Sequence, residues 1–193
     1  MKVSFLIGFD GKLKARFNSP DKIYQKYSLS NFFSINTAQI DSNMFVTNQF
    51  FSNKLKYWTY EGKKVKEVNL NLGKTYRKIN DNAFRYFENR NMSKFNNNIS
   101  RKNQLLYDNC FHRSLVCYYN DFYPKGVINP FSPKIKTNKY IVISNDNGES
   151  LTNKPIQVHK SFIPFYFHDN IIFASELDSD RHLEIVKYKF VED

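Results

Sequence analysis

The sequence predicts an all-β domain of the β-propeller-like kind, and three observations carry that prediction. The first is composition. Among 193 residues there are 19 Phe and 13 Tyr, apolar residues reach 41%, and alanine is rare. Aromatic and β-branched side chains suit a pleated, half-buried surface, whereas the best helix formers are scarce. The second is turn chemistry. An acidic residue or Asn precedes Gly between two β-type runs at Asp10-Gly11, Glu61-Gly62 and Asn147-Gly148. Glycine supplies the positive φ that a tight hairpin turn needs. The third is spacing. These glycines lie 51 and 86 residues apart, and half of 86 is 43. A propeller blade occupies roughly 40–50 residues, so one degenerate copy is expected between the last two.

The elements follow in order. "FLIGFDGKLKARF" (5–17) reads strand, turn, strand. "KYWTYEGKKVKEVNL" (56–70) repeats that pattern, and its outgoing half alternates Lys with Val. Residues 71–103 read as a long basic loop insertion. Within it "DNAFRYFENRNMSKF" (81–95) offers one helical turn, with Phe84 and Phe87 three apart and Asp81 as cap; its asparagines argue against anything longer. The degenerate copy is placed in "NQLLYDNCFHRSLVCYYND" (103–121), and "KYIVISNDNGESLTNKPI" (139–156) supplies a strand, an Asn-Asp-Asn-Gly turn and a weaker strand. At the end Val186, Tyr188 and Phe190 alternate with Lys187 and Lys189, as on a half-buried strand. The expected organisation is one domain over 1–193 with about four blades, an open arc.

Charge is uneven. The formal net of +11 comes from residues 1–103, which hold 19 Lys/Arg against 7 Asp/Glu, while residues 104–193 hold 10 against 11. Any polyanion site is therefore expected in the first half. Lys63, Lys64, Lys66, Lys74, Arg77, Lys78, Arg85 and Arg90 lie close in sequence to Trp58, Tyr60, Tyr76 and Tyr86. Cations neutralise phosphates and aromatic rings stack on bases, so residues 54–102 form the candidate polyanion site. Nucleic acid is nonetheless the second choice, because these lysines fit equally well on the wet face of a hairpin.

Catalytic patterns are missing. The chain has no G-x-S-x-G elbow, H-E-x-x-H, Walker loop or G-x-G-x-x-G. Of His112, His159, His168 and His182, only His112 has a close sequence partner, Cys110, and a structural zinc site needs four ligands in close pairs. Asp178 and Asp180 with Glu176 read as a solvated turn rather than a Ca²⁺ loop. His168-Asp169 lacks a nucleophile. No catalytic residue, metal ligand or cofactor is assigned, and an enzyme is disfavoured. Cys110 and Cys117 read as free thiols. The first residues lack the features of an export signal, and no run approaches the ~20 apolar residues of a membrane span.

The segments "LKYWTYEGKKVKEV", "LLYDNCFHRSLVCYY" and "IPFYFHDNIIFASE…HLEIVKYKF" resemble a bacterial family of six-bladed β-propeller-like envelope proteins, over residues 50–193. In that family a Tyr-Asp pair precedes a basic turn and a tyrosine-rich strand. Tyr107, Asp108, Arg113, Tyr118 and Tyr119 stand in those places here as structural motif residues. Cys117 within the tyrosine-rich strand, and a length suited to about four blades, depart from the pattern. The resemblance implies the C-terminal blades of a larger propeller. It implies no known reaction and, for a fragment of that family, a place in the cell envelope or periplasm. The chain reads as a non-enzymatic binding or scaffold module for an unknown protein or carbohydrate ligand, with self-association expected from the bare faces of an open arc.

Overall fold

The computed structural model describes residues 4–7, 12–17, 19–29, 33–127, 129 and 132–191. Strands account for 46% and helices for 11%, so the β prediction holds. β1 (Ser4–Ile7) and β2 (Leu13–Phe17) pair antiparallel as a first, two-stranded sheet. The predicted Asp10-Gly11 turn between them lies outside the described residues. The second sheet is a four-stranded meander of β3 (Ile35–Gln39), β4 (Met44–Gln49), β5 (Lys54–Thr59) and β6 (Lys64–Asn69). The third repeats it with β7 (Arg101–Asp108), β8 (Arg113–Phe122), β9 (Lys136–Asn145) and β10 (Ile156–Val158). The fourth has three strands, β11 (Ile163–His168), β12 (Ile171–Leu177) and β13 (Leu183–Lys189). All pairings are antiparallel and none of the sheets is closed. The first strands of successive sheets adjoin one another, β3 beside β7 and β7 beside β11. The arrangement is in keeping with an open, propeller-like arc.

Two predicted turns are present as hairpin turns. Gly62 takes φ +81° between β5 and β6, and its N–H donates to the Thr59 carbonyl at 2.9 Å. Gly148 takes φ +82° after β9, where Asn145 Oδ1 accepts the N–H groups of Asn147 and Glu149, each at 3.0 Å. The 43-residue period is corrected. Residues 103–121 do form a hairpin, with Asp108 opposite Arg113, but it joins the first two strands of the third sheet. Gly62 and Gly148 both follow the third strand of their sheets, so 86 residues span one sheet step, not two. The extra length lies in 70–100 and in the residues between β8 and β9.

The reading of 71–103 as a loop with one helical turn is also corrected. After the short α1 (Lys22–Lys26), this segment carries α2 (Asp81–Glu88) and α3 (Met92–Asn97), then enters β7. Two of the three asparagines that argued against helix cap it instead: Asn89 ends α2, and Asn91 Oδ1 accepts the Lys94 N–H at 3.2 Å, while Asn80, just before the stretch, accepts the Ala83 N–H at 2.8 Å. Asp81 is not the cap; it accepts from Lys26 Nζ at 2.7 Å and Tyr27 Oη at 2.8 Å. Ala83 and Phe95 pack with Tyr24, Leu29 and Phe51 into a small helical core.

The main core lies between sheets. Val46, Leu55 and Tyr57 of the second sheet meet Leu105, Val116 and Tyr118 of the third. Leu115, Cys117 and Ile143 on the other face of the third sheet meet Phe167, Ile172 and Ala174 of the fourth. Successive residues of a strand point to opposite faces, so β8 is buried on both sides. That is why its middle, Leu115 to Tyr119, is an unbroken apolar and aromatic run. Phe17 of β2 packs on Phe45 and Trp58, which covers the remaining face of the second sheet.

Candidate functional site

The eight predicted cations fall on three elements. Lys63, Lys64 and Lys66 sit on the β5–β6 hairpin, Lys74, Arg77 and Lys78 in the following connection, and Arg85 and Arg90 on and just after α2. Several have internal partners. Lys64 pairs with Glu67 at 3.1 Å and Lys66 with Asp146 at 3.3 Å, its ammonium also lying 4.3 Å from the Tyr57 ring centroid. Arg77 donates to the Asn97 carbonyl at 2.7 Å and stacks on Phe122. Trp58 and Tyr76 are buried, which removes two of the four aromatic rings from any base-stacking surface. Lys102 is fully buried, with Nζ 2.7 Å from Tyr76 Oη. Burial pulls its pKa well below the ordinary lysine value.

Of the Tyr-Asp-Arg-Tyr-Tyr residues, Tyr107, Asp108 and Arg113 tie sheets together. Tyr107 Oη donates to Asp146 Oδ1 at 2.9 Å, and Tyr57 of the second sheet donates to the same oxygen at 3.1 Å. Arg113 donates to Asn170 Oδ1 in the fourth sheet's first turn and stacks on Phe111. Tyr118 Oη reaches the Leu72 carbonyl at 3.2 Å, and Tyr119 lies beneath the Arg101 guanidinium.

Asp108 has no exposed surface. It ends β7, where Oδ1 accepts the Cys110 N–H at 2.9 Å and Oδ2 accepts the Asn170 N–H at 3.0 Å. One carboxylate thus fixes the β7–β8 turn and the β11–β12 turn against each other. This brings Cys110 and His168 together across 58 residues, with Sγ 3.4 Å from Nε2 and 3.7 Å from Nδ1. His168 Nδ1 is 3.8 Å from Asp108 Oδ1. The sequence pairs Cys110 with His112 and His168 with Asp169. The structure instead sets His112 at 3.3 Å from Tyr107 Oη and gives His168 to Cys110. Only the pairing of two sheets could reveal that. Cys110 is exposed and Cys117 buried, both as free thiols. Asp178 behaves as the predicted turn residue: Oδ1 accepts the N–H groups of Asp180 and His182, while Glu176 accepts from Tyr188 Oη at 2.7 Å.

The fourth sheet carries apolar side chains on both faces, the outer one with Lys187 and Lys189 at one end. One face packs on the third sheet. Across the other, Ile163 lies opposite Ser175, which lies opposite Ile185, and Leu177 lies opposite Leu183. Leu183 and Ile185 are both 71% exposed, and Ile163 and Phe165 about half exposed. No helix among the described residues is long and apolar enough to cross a membrane.

No family model and no curated protein matches the chain. A solved structure does. The chain is similar in fold to a crystal structure of a member of the duf4221 family from Bacteroides vulgatus atcc 8482, with a TM-score of 0.54 and 12% identity. The match covers 83% of this chain and 47% of that one. The chain therefore spans about half the length of that protein, and at this identity the likeness concerns the fold alone.

Proposed function

We propose that this protein is a binding or scaffold module whose fourth sheet receives a further antiparallel sheet from outside residues 1–193, and pairs with a second copy when these residues are isolated. The observation that carries this is the bare row on the fourth sheet: Ile163, Leu177, Leu183 and Ile185. Both faces of the second and third sheets are covered by a neighbour, whereas this face of the fourth is open. Burying a Leu or Ile side chain fully stabilises by about 1.5–3 kcal/mol, so a matching apolar sheet is the natural occupant. The larger size of the similar structure supports the same reading, as does the resemblance to six-bladed propeller-like envelope proteins. A closed ring and an envelope location belong to this proposal. Polyanion binding is less supported, because Trp58 and Tyr76 are core residues and Lys66 and Arg77 have internal partners.

The test is light scattering across a concentration series. The isolated chain is expected to gain mass with concentration, and a Leu183→Lys/Ile185→Lys variant to stay monomeric with an unchanged far-ultraviolet spectrum. A monodisperse wild-type monomer throughout would contradict the proposal.

A further inference from the structure

We infer that Cys110, His168 and Asp108 form a binding site for a Zn²⁺-class divalent transition metal. The three offer one thiolate sulfur, one imidazole nitrogen and one carboxylate oxygen, and these atoms all lie within 4.8 Å of one another. Tetrahedral zinc binds sulfur at about 2.3 Å and nitrogen or oxygen at about 2.0–2.2 Å, which places neighbouring ligand atoms about 3.4–3.6 Å apart. His168 Nδ1 is 3.7 Å from Cys110 Sγ and 3.8 Å from Asp108 Oδ1. Only a small closure of side chains separates this arrangement from a coordination shell.

Two features make it more than a chance meeting. Asp108 is wholly buried and its carboxylate is held by two backbone N–H groups from two turns. Such supporting bonds orient a metal ligand and still leave each oxygen a lone pair. Cys110 and His168, by contrast, reach solvent, which gives the ion an entry path and leaves the fourth position to water. The donor set also selects the class of ion. A thiolate with an imidazole suits zinc and its borderline-soft neighbours, whereas Ca²⁺ and Mg²⁺ take oxygen ligands. Binding converts the Cys110 thiol to thiolate and releases its proton to solvent; no electron is transferred. The site joins the third sheet to the fourth, so metal would also brace that junction.

The experiment titrates reduced, metal-free protein with Co²⁺ as a spectroscopic probe of the same site. The expected result is a thiolate-to-cobalt charge-transfer band that saturates at one equivalent and is bleached by Zn²⁺. Cys110→Ser should abolish the band. His168→Ala should weaken Co²⁺ binding about tenfold or more. Cys117→Ala should retain the band, because Cys117 is fully buried. Asp108 is left intact, since it also holds both turns, and far-ultraviolet spectra check that each variant is folded. The proposal is overturned if the wild type gives no such band at one equivalent, if the band survives Cys110→Ser, or if His168→Ala leaves the affinity unchanged. Any of these would reduce the cluster to a thiol–imidazole hydrogen bond.

Discussion

Gly148 lies so close to Asn69 that a β-carbon on it would stand 2.2 Å from the Asn69 carbonyl oxygen. The Asn71 N–H donates to the Gly148 carbonyl at 3.1 Å, so the turn after β9 docks directly on the end of β6. The same relationship occurs one sheet earlier, where a β-carbon on Gly62 would meet the Ala15 β-carbon of β2 at 2.8 Å. In each case the turn after a sheet's third strand abuts the last strand of the preceding sheet. The glycine is required twice over, by its positive φ and by the neighbour's approach.

Substituting these glycines by alanine should therefore give a graded series. Gly126 also has positive φ, +83°, but nothing within 4 Å of a built β-carbon. Gly126→Ala should cost about 1–2 kcal/mol from backbone strain alone. Gly148→Ala adds a clash with backbone and should cost more than about 3 kcal/mol. Gly62→Ala should fall between. Urea unfolding midpoints measure the order, and equal costs at all three sites would disprove the docking role of Gly148.

The two thiols should differ sharply in reactivity. Burial pushes the Cys117 thiol up to about 12, and it lies wholly inside the core. Cys110 is exposed. One thiol per native chain should react with a disulfide reagent after treatment with chelator, and two after unfolding. Rapid reaction of both in the native state would mean that the interface between the third and fourth sheets opens readily.

Acid should weaken the second sheet through Glu67. The Lys54 ammonium, with help from Lys64, holds the Glu67 carboxyl below its ordinary range. A depressed folded pKa contributes stability above the unfolded value of about 4.3 and loses it as pH falls through the folded one. Glu67→Gln should lower stability at pH 7 by at most about 1 kcal/mol, since the pair is largely solvated. The difference from wild type should shrink as pH falls below the ordinary glutamate range. Thermal unfolding of both proteins across that range checks the sign; a gap that widens in acid would refute it.

Charge reversal on the β5–β6 hairpin should separate surface lysines from structural ones. Lys63→Glu should change stability by only a few tenths of a kcal/mol. Lys66→Glu should cost clearly more, because it sets a second carboxylate beside Asp146, the acceptor for both Tyr57 and Tyr107. The wild-type protein is not expected to bind single- or double-stranded oligonucleotides at micromolar concentration near physiological salt. Tight binding lost on changing Lys63, Lys64 and Lys66 together would restore the polyanion reading, with a salt slope of about −0.9 per phosphate contact on duplex DNA.

By itself the sequence determined the β class, the turns at Gly62 and Gly148 and the alternation in β13, whereas the burial of β8 on both faces came from the packing of its neighbours. The turns and the alternation rest on local rules: a positive φ needs glycine, and side chains alternate across a strand. The 70–100 helices were misjudged because Asn reads alike as a loop former and as a helix cap, and only Phe95 packing beside Tyr24 and Phe51 decides between them. The one-sheet step between Gly62 and Gly148 was hidden because regular spacing does not say which strand of a sheet a hairpin follows. Lys102, at the end of the basic 54–102 region, is buried against Tyr76, which its charge alone gives no sign of. The meeting of Asp108, Cys110 and His168, and the bare row from Ile163 to Ile185, were decided only by tertiary structure. Both depend on which sheet lies beside which, and that is set by apolar packing between residues far apart in the chain.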